Sequence, residues 1–177
     1  MGRPAIPCSL IPVEKEDKEI LRNLLEKYLY EFTQYEQRAV NRLGLFGYDY
    51  LDNYWTEDKR WAFFIRAGDE LAGFAMVSDY QEAPVEKTDY TLSEFCVMYK
   101  YRRQGIGHWA ATALFDRFPG LWQLKCHPLN VPALYFWQTV IPEYIGGNCK
   151  QLEDLPGTEY PDGSRGVVFV FRSRRRG

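Results

Sequence analysis

The stretch Val97 to Phe115, VMYKYRRQGIGHWAATALF, sets Gly105 and Gly107 one residue apart, after a basic cluster and before a run with helical spacing. Where a strand hands over to a helix, several backbone N–H groups lack intrahelical partners, and the helix dipole adds about half a positive charge. Glycine removes the Cβ atoms that would keep an anion from those groups. Lys100, Arg102 and Arg103 bring cationic side chains beside them. The chemistry selected is the holding of a di- or polyphosphate. A Walker loop would need GxxxxGK[ST], which is absent, and a dinucleotide fold would want a third glycine where His108, Trp109 and Ala110 follow. On these residues alone, a glycine-containing helix start with no ligand stays open.

Other residues able to move protons or attack a carbonyl are few. His108 and His127 are the two histidines. Cys8, Cys96, Cys126 and Cys149 form no CxxC pair, which argues against a zinc knuckle or a small disulfide framework. Cys96 and Cys126 fall in apolar, strand-like runs, so they read as buried thiols in a reducing compartment, with no metal implied.

Elements that must position these groups follow from periodicity. Ile20, Leu21, Leu24, Leu25, Tyr28, Leu29 and Phe32 form one apolar helix face, with Glu19, Arg22, Glu26 and Lys27 opposite. The segment NRLGLFGYDYLDNYWTEDKR, rich in Gly, Tyr, Asp and Asn, reads as a long and therefore functional connection. Two apolar runs, Trp61 to Arg66 and Leu71 to Val77, flank the turn AGDE as a β-hairpin. TDYTLSEFCVMY alternates as another strand. Ile106, Trp109, Ala110, Ala113, Leu114 and Phe118 make a helical stripe that stops at Pro119-Gly120. LWQLKCH is a short strand, NVPALYFWQTVI a helix capped by Asn130, and RGVVFVFRS a final strand before the tail RSRRRG. That order of helices and strands predicts a mixed sheet with helices on both faces, in one domain spanning residues 1–177.

The run EFCVMYKYRRQGIG resembles motif A of the GNAT superfamily, the acyl-CoA-dependent N-acetyltransferases. Val97, Tyr101, Arg102, Gly105, Ile106 and Gly107 carry the match. Further on, NVPALYFWQTVI resembles that family's second motif, an asparagine followed by an alanine on the helix beside the acyl-CoA thioester. The resemblance implies a mixed, mostly antiparallel central sheet of six to seven strands with a splayed central strand. It implies that acetyl-CoA is the co-substrate and that Phe95, Cys96 and Val97 pair with its pantetheine arm. It assigns the pyrophosphate to the N–H groups of Arg103, Gln104, Gly105, Ile106, Gly107 and His108, counts Arg102 among the cofactor-binding residues, and places Asn130, Ala133 and Trp137 toward the pantetheine end and thioester.

Departures from the family pattern matter unequally. Tyr99 stands for the usual proline and Arg103 for a common glycine, and neither removes a required group. Many members carry a tyrosine where Trp137 stands, as general acid for the departing thiolate, so the acid is unassigned. Glu94 lies where members often carry a carboxylate and is the candidate general base, since an ammonium must lose a proton before it attacks; a structural glutamate is the other reading. His127 ends a strand nearer the acyl end and stays a lesser candidate. In this architecture the acceptor site lies between the first helix, its loop and the splayed strand. Tyr28, Tyr35, Tyr48, Tyr54 and Trp55, with Asp52 among them, would suit a cationic amine through cation–π contact and ion pairing; core packing is the plainer account of the same rings.

Composition limits the rest. The chain of 177 residues is 46% hydrophobic with a net charge of −2, which fits one cored domain and argues against a nucleic-acid partner. No apolar run suits a signal peptide or a membrane span, so a cytoplasmic protein with no membrane partner is expected. The expected function is acetyl transfer to the primary amine of a small cationic molecule. A non-catalytic acyl-CoA-binding domain, a peptide or protein amine as acceptor, and a homodimer are left open.

Overall fold

The protein is described by a computed structural model over residues 4–173, so the last four residues of the RSRRRG tail lie outside the described residues. The runs flanking the AGDE turn form β2 (Arg60–Ala67) and β3 (Glu70–Ser78), an antiparallel hairpin as expected. Next come β4 (Tyr90–Val97), β5 (Leu121–Cys126) and β7 (Val167–Arg172). Two further strands, β1 (Cys8–Pro12) and β6 (Lys150–Leu152), lie outside the elements read from periodicity. Both are short edge strands, and with one pairing partner each they need little alternation. The order across the sheet is β1-β2-β3-β4-β5-β7-β6, antiparallel except where β4 meets β5.

Helices cover both faces. On one side α1 (Lys18–Glu36) buries Leu21, Leu24 and Leu25 against Phe64, Phe74, Met76 and Cys96. The long connection after it contains one short helix, α2 (Asn53–Thr56), whose Tyr54 joins the same cluster. On the other side α3 (Ile106–Arg117) and α4 (Val131–Ile145) pack Leu114, Phe115, Val140 and Ile141 on Phe63, Val77, Leu92 and Leu124. No helix among the described residues is long and apolar enough to cross a membrane.

Two irregularities of β4 build the site. Its parallel pairing with β5 is confined to Tyr90 with Trp122 and Thr91 with Gln123, so from Leu92 onward the two strands part. The edge of β4 facing that gap carries backbone N–H and C=O groups with no strand partner, and such groups seek one. On the other edge, Met76 pairs with Glu94 but Val77 with Leu92, which leaves Ser93 as the extra residue of a bulge. A bulge breaks strict alternation and re-aims side chains. Leu92 and Phe95 both turn toward α3 and α4, whereas Glu94 and Cys96 turn toward α1. Ser93 faces Tyr54 of α2, on the same side as Glu94.

Candidate active site

At the phosphate end, Met98 leads into a single 3-10 turn, Tyr99–Tyr101, and Gly105 caps α3 with φ +77°. That left-handed conformation suits glycine, and no side chain caps the helix. The first-turn amides of Ile106, Gly107 and His108 therefore keep the anion-holding capacity expected of a helix start. Gly107 also lets α3 approach: a Cβ there would meet Phe136 at 3.3 Å and Val97 at 3.5 Å. The basic cluster is less free than its sequence suggests. Lys100 pairs with Glu70 at 2.7 Å, and Arg102 pairs with Glu31 at 2.6 Å while its Nε donates to the Val97 carbonyl at 2.7 Å. Among the described residues Arg103 has no such partner, and Gln104 donates to the Lys100 carbonyl. His108 faces Glu143 at 3.1 Å, tying α3 to α4.

At the other end of the gap, Asn130 caps α4, its Oδ1 accepting from the Ala133 N–H at 3.2 Å. The Tyr35 hydroxyl donates to the same Oδ1 at 3.3 Å, so a residue of α1 reaches across to the start of α4. Trp137, grouped with Asn130 and Ala133 by helical spacing, lies in the core at 5% exposure instead of lining the gap. Its indole packs edge-on against Phe95, with Phe115 and Phe136 around it, because the inner face of α4 has a large volume to fill there. Tyr135 is 68% exposed on the opposite face.

Histidine and cysteine chemistry is closed off. His127 is fully buried, stacked on Tyr35. Its Nδ1 accepts from the Leu129 N–H at 3.2 Å, and Nε2 faces Asp162 at 3.2 Å and Ser164 at 3.0 Å. Neither ring nitrogen is left to act as a base. Burial pushes the Cys96 and Cys126 thiols up to about 12, so neither is a nucleophile near neutral pH.

Glu94 is differently placed. Its carboxyl is half-buried on the α1 side of β4, where the phenols of Tyr28 and Tyr48 donate to it. Burial, reinforced by the nearby charge of Glu82, outweighs those two hydrogen bonds and pushes it up to about 8. At pH 7 it is therefore mostly protonated, and its ionised form, which grows as pH rises through 8, is the one that can act as a base. The Tyr54 phenol bonds Ser93 beside it, and the Ser93 hydroxyl lies 2.9 Å from that of Ser78. Of the aromatic residues grouped in the sequence, Tyr28, Tyr48 and Tyr54 thus converge on Glu94, and Tyr35 stands at the Asn130 end. Trp55 turns away, its Nε1–H donating to the Val13 carbonyl at 3.0 Å, and so does the exposed carboxylate Asp52, which pairs with Lys18 at 2.8 Å. Sequence reasoning did not single out Glu82, whose charge acts on Glu94. Glu82 looks like one charge among several in the loop DYQEAPVEKTD, and nothing local marks it as buried.

The free edge of β4, the uncapped first turn of α3 and the Glu94 carboxyl are brought together around one strand. Residues 19–140 match the model of the Acetyltransferase (GNAT) family, and the chain belongs to that family. Solved structures agree in fold at low identity. An acetyltransferase from Thermus thermophilus is 18% identical with TM-score 0.69, covering 96% of this chain and 99% of its own. The ribosomal-protein-S18-alanine N-acetyltransferase of Escherichia coli is 16% identical with TM-score 0.57, covering 97% of each chain. A spermidine N-acetyltransferase from Vibrio cholerae, solved with CoA and spermine, is 11% identical with TM-score 0.58, covering 94% and 95%. No curated protein matches the sequence.

Proposed function

We propose that the protein transfers an acetyl group from acetyl-CoA to the primary amine of a small cationic molecule, by direct attack, with Glu94 as general base. The observation that carries this reading is the half-buried Glu94 carboxyl, held by two phenols beside the parted strands and raised to about 8. When bound, acetyl-CoA supplies the acyl group and a thiolate leaving group. The first-turn amides of α3, with Arg103, hold the pyrophosphate, and the free edge of β4 aligns the pantetheine arm. Glu94 takes one proton from the acceptor ammonium, which frees the nitrogen lone pair for attack on the acyl carbon. The pocket's phenols and carboxyls suit a cation, and a fold neighbour that binds spermine is compatible with that class.

The test follows release of free CoA thiol from acetyl-CoA across a panel of small amines and peptide N-termini. Glu94→Gln is expected to lower kcat/KM about 10²- to 10⁴-fold, the usual contribution of a general base, with CoA affinity unchanged. Tight CoA binding without turnover on any amine would favour a non-catalytic binding module. Turnover of peptides alone would replace the small amine with a peptide acceptor.

A further inference from the structure

The ring on which Tyr35 stacks is fixed by two turns. β5 ends at Cys126, and the turn from His127 to Asn130 leads into α4, on the side of the gap opposite the free edge of β4. His127 closes that turn twice: its carbonyl accepts from the Asn130 N–H at 3.0 Å, and its Nδ1 accepts from the Leu129 N–H at 3.2 Å. With the Nδ1 lone pair used in this way, the ring proton stands on Nε2. That nitrogen faces a second turn, Tyr160–Ser164, whose sequence YPDGS puts Pro161 and Asp162 at the centre and Gly163 at φ +85°. Two backbone bonds close it, Gly163 N–H to the Tyr160 carbonyl and Tyr160 N–H to the Ser164 carbonyl, both at 2.8 Å. The turn presents Asp162 Oδ2 to Nε2 at 3.2 Å and Ser164 Oγ at 3.0 Å, while the Ser164 hydroxyl donates to Asp162 Oδ1 at 2.7 Å. The Tyr160 ring packs against the imidazole with centroids 4.6 Å apart. A fully buried imidazole, engaged at both nitrogens, is thus the surface under Tyr35, at 5.5 Å and 24° between the rings.

The phenol held there has a proton to give. Its bond to Asn130 Oδ1 is 3.3 Å long, against about 2.7–2.8 Å usual between two oxygens, and that acceptor already serves the Ala133 N–H. The other phenols on the α1 side are engaged, Tyr28 and Tyr48 with Glu94 and Tyr54 with Ser93. A fixed ring with a loosely held hydroxyl is what a pre-set proton donor requires.

We propose that His127 is a positioning residue: clamped by the Tyr160–Ser164 turn, its ring sets Tyr35 so that this phenol, and no residue of α4, protonates the departing sulfur. This rests on the acetyl-transfer reading given above. As the C–N bond forms and the C–S bond breaks, the C–S electron pair leaves on sulfur and Tyr35 gives that sulfur its proton. The phenolate regains a proton from the acylated nitrogen, which sheds one on becoming an amide. His127 itself exchanges no proton.

Two variants separate the roles of the ring. His127→Asn keeps an acceptor where Nδ1 stands, so the turn to Asn130 is retained while the stack under Tyr35 is lost. D162A/S164A loosens the ring without removing it. With acetyl-CoA and n-butylamine, Tyr35→Phe and His127→Asn are each expected to lower kcat about tenfold, as for a donor to a good leaving group, with KM for acetyl-CoA within about twofold. D162A/S164A should lose about threefold, through misplacement alone. Combining Tyr35→Phe with His127→Asn should still cost only about tenfold, because the imidazole acts through the phenol. Losses that multiply in the combined variant, or that fall on KM for acetyl-CoA, overturn the proposal. The base reading fails separately: unchanged rates in Glu94→Gln would remove the base and leave the Tyr35–His127 coupling standing. A readout without turnover uses protein labelled with [ζ-13C]tyrosine. The Tyr35 signal, assigned by its loss in Tyr35→Phe, should differ between CoA and desulfo-CoA complexes, and His127→Asn should abolish the difference. An identical signal in the two complexes, or a difference untouched by His127→Asn, overturns the proposal whether or not n-butylamine is acetylated.

Discussion

Trp137 and Tyr35 together recast the question of the general acid. An indole cannot protonate a thiolate, and at 5% exposure Trp137 is core in any case. The phenol that does stand at the start of α4 comes from α1, where Tyr35 donates to Asn130 Oδ1 at 3.3 Å. If that hydroxyl serves the leaving group, Tyr35→Phe lowers kcat about tenfold, at the low end of acid catalysis because a thiolate leaves readily. Removing one hydroxyl from a half-buried ring that stays stacked on His127 leaves the melting temperature within a few degrees. A kcat unchanged across the pH range would assign Tyr35 to holding α1 against α4 and nothing more. The motif residues Gly105, Gly107 and Asn130 were legible because their roles are local: a left-handed turn, a helix start and a helix cap. The role of Tyr35 was not, since it depends on a partner in a distant element.

The loop between α1 and α2 shows how an element rather than a residue sets the proton affinity of Glu94. Glu26, on the polar side of α1, receives the N–H groups of Phe46 and Gly47 on its two carboxylate oxygens, each at 2.8 Å. From the other side, Arg38 donates to the Phe46 carbonyl at 2.9 Å. The strapped turn, with Gly47 at φ +74°, delivers Tyr48 to Glu94. The Tyr48 hydrogen bond stabilises the charged carboxylate, so its loss raises the affinity of Glu94 for a proton. Glu26→Ala is therefore expected to move the acidic limb of kcat/KM to higher pH by up to about one unit, the worth of one hydrogen bond. Tyr48→Phe should give the same displacement, and CoA affinity should hold in both. A lower melting temperature with an unmoved pH profile would reduce Glu26 to a structural strap. The helix, hairpin and central strands were readable from their apolar periods. The bulge at Ser93 was not, because a one-residue insertion leaves EFCV looking like an ordinary alternating strand.

At the scale of the whole molecule, the burial of Glu82 and Glu94 is a charge-burial problem whose cost is visible in stability. Glu82 is raised to about 7 and Glu94 to about 8, each from an ordinary 4.5 and chiefly by burial. A carboxyl raised on folding binds its proton more tightly in the folded chain. Its contribution is fully present below about pH 4.5 and is lost as pH rises through 7 and 8. Lowered carboxyls such as Asp162, bonded by Ser164, and Glu70, bonded by Lys100 and Tyr101, act oppositely, losing their contribution only as pH falls below the ordinary carboxylate range. Between pH 5 and pH 8.5 the two raised groups thus govern the slope, and the ligand-free protein should melt at progressively lower temperature across that window. At this chain length each kcal/mol corresponds to about 2–4 °C, so the fall is measurable by calorimetry. The double variant E82Q/E94Q should flatten the profile, because neither glutamine titrates. A wild-type melting temperature that stays level or rises from pH 5 to pH 8.5 would mean that the two carboxyls are already charged in the folded protein.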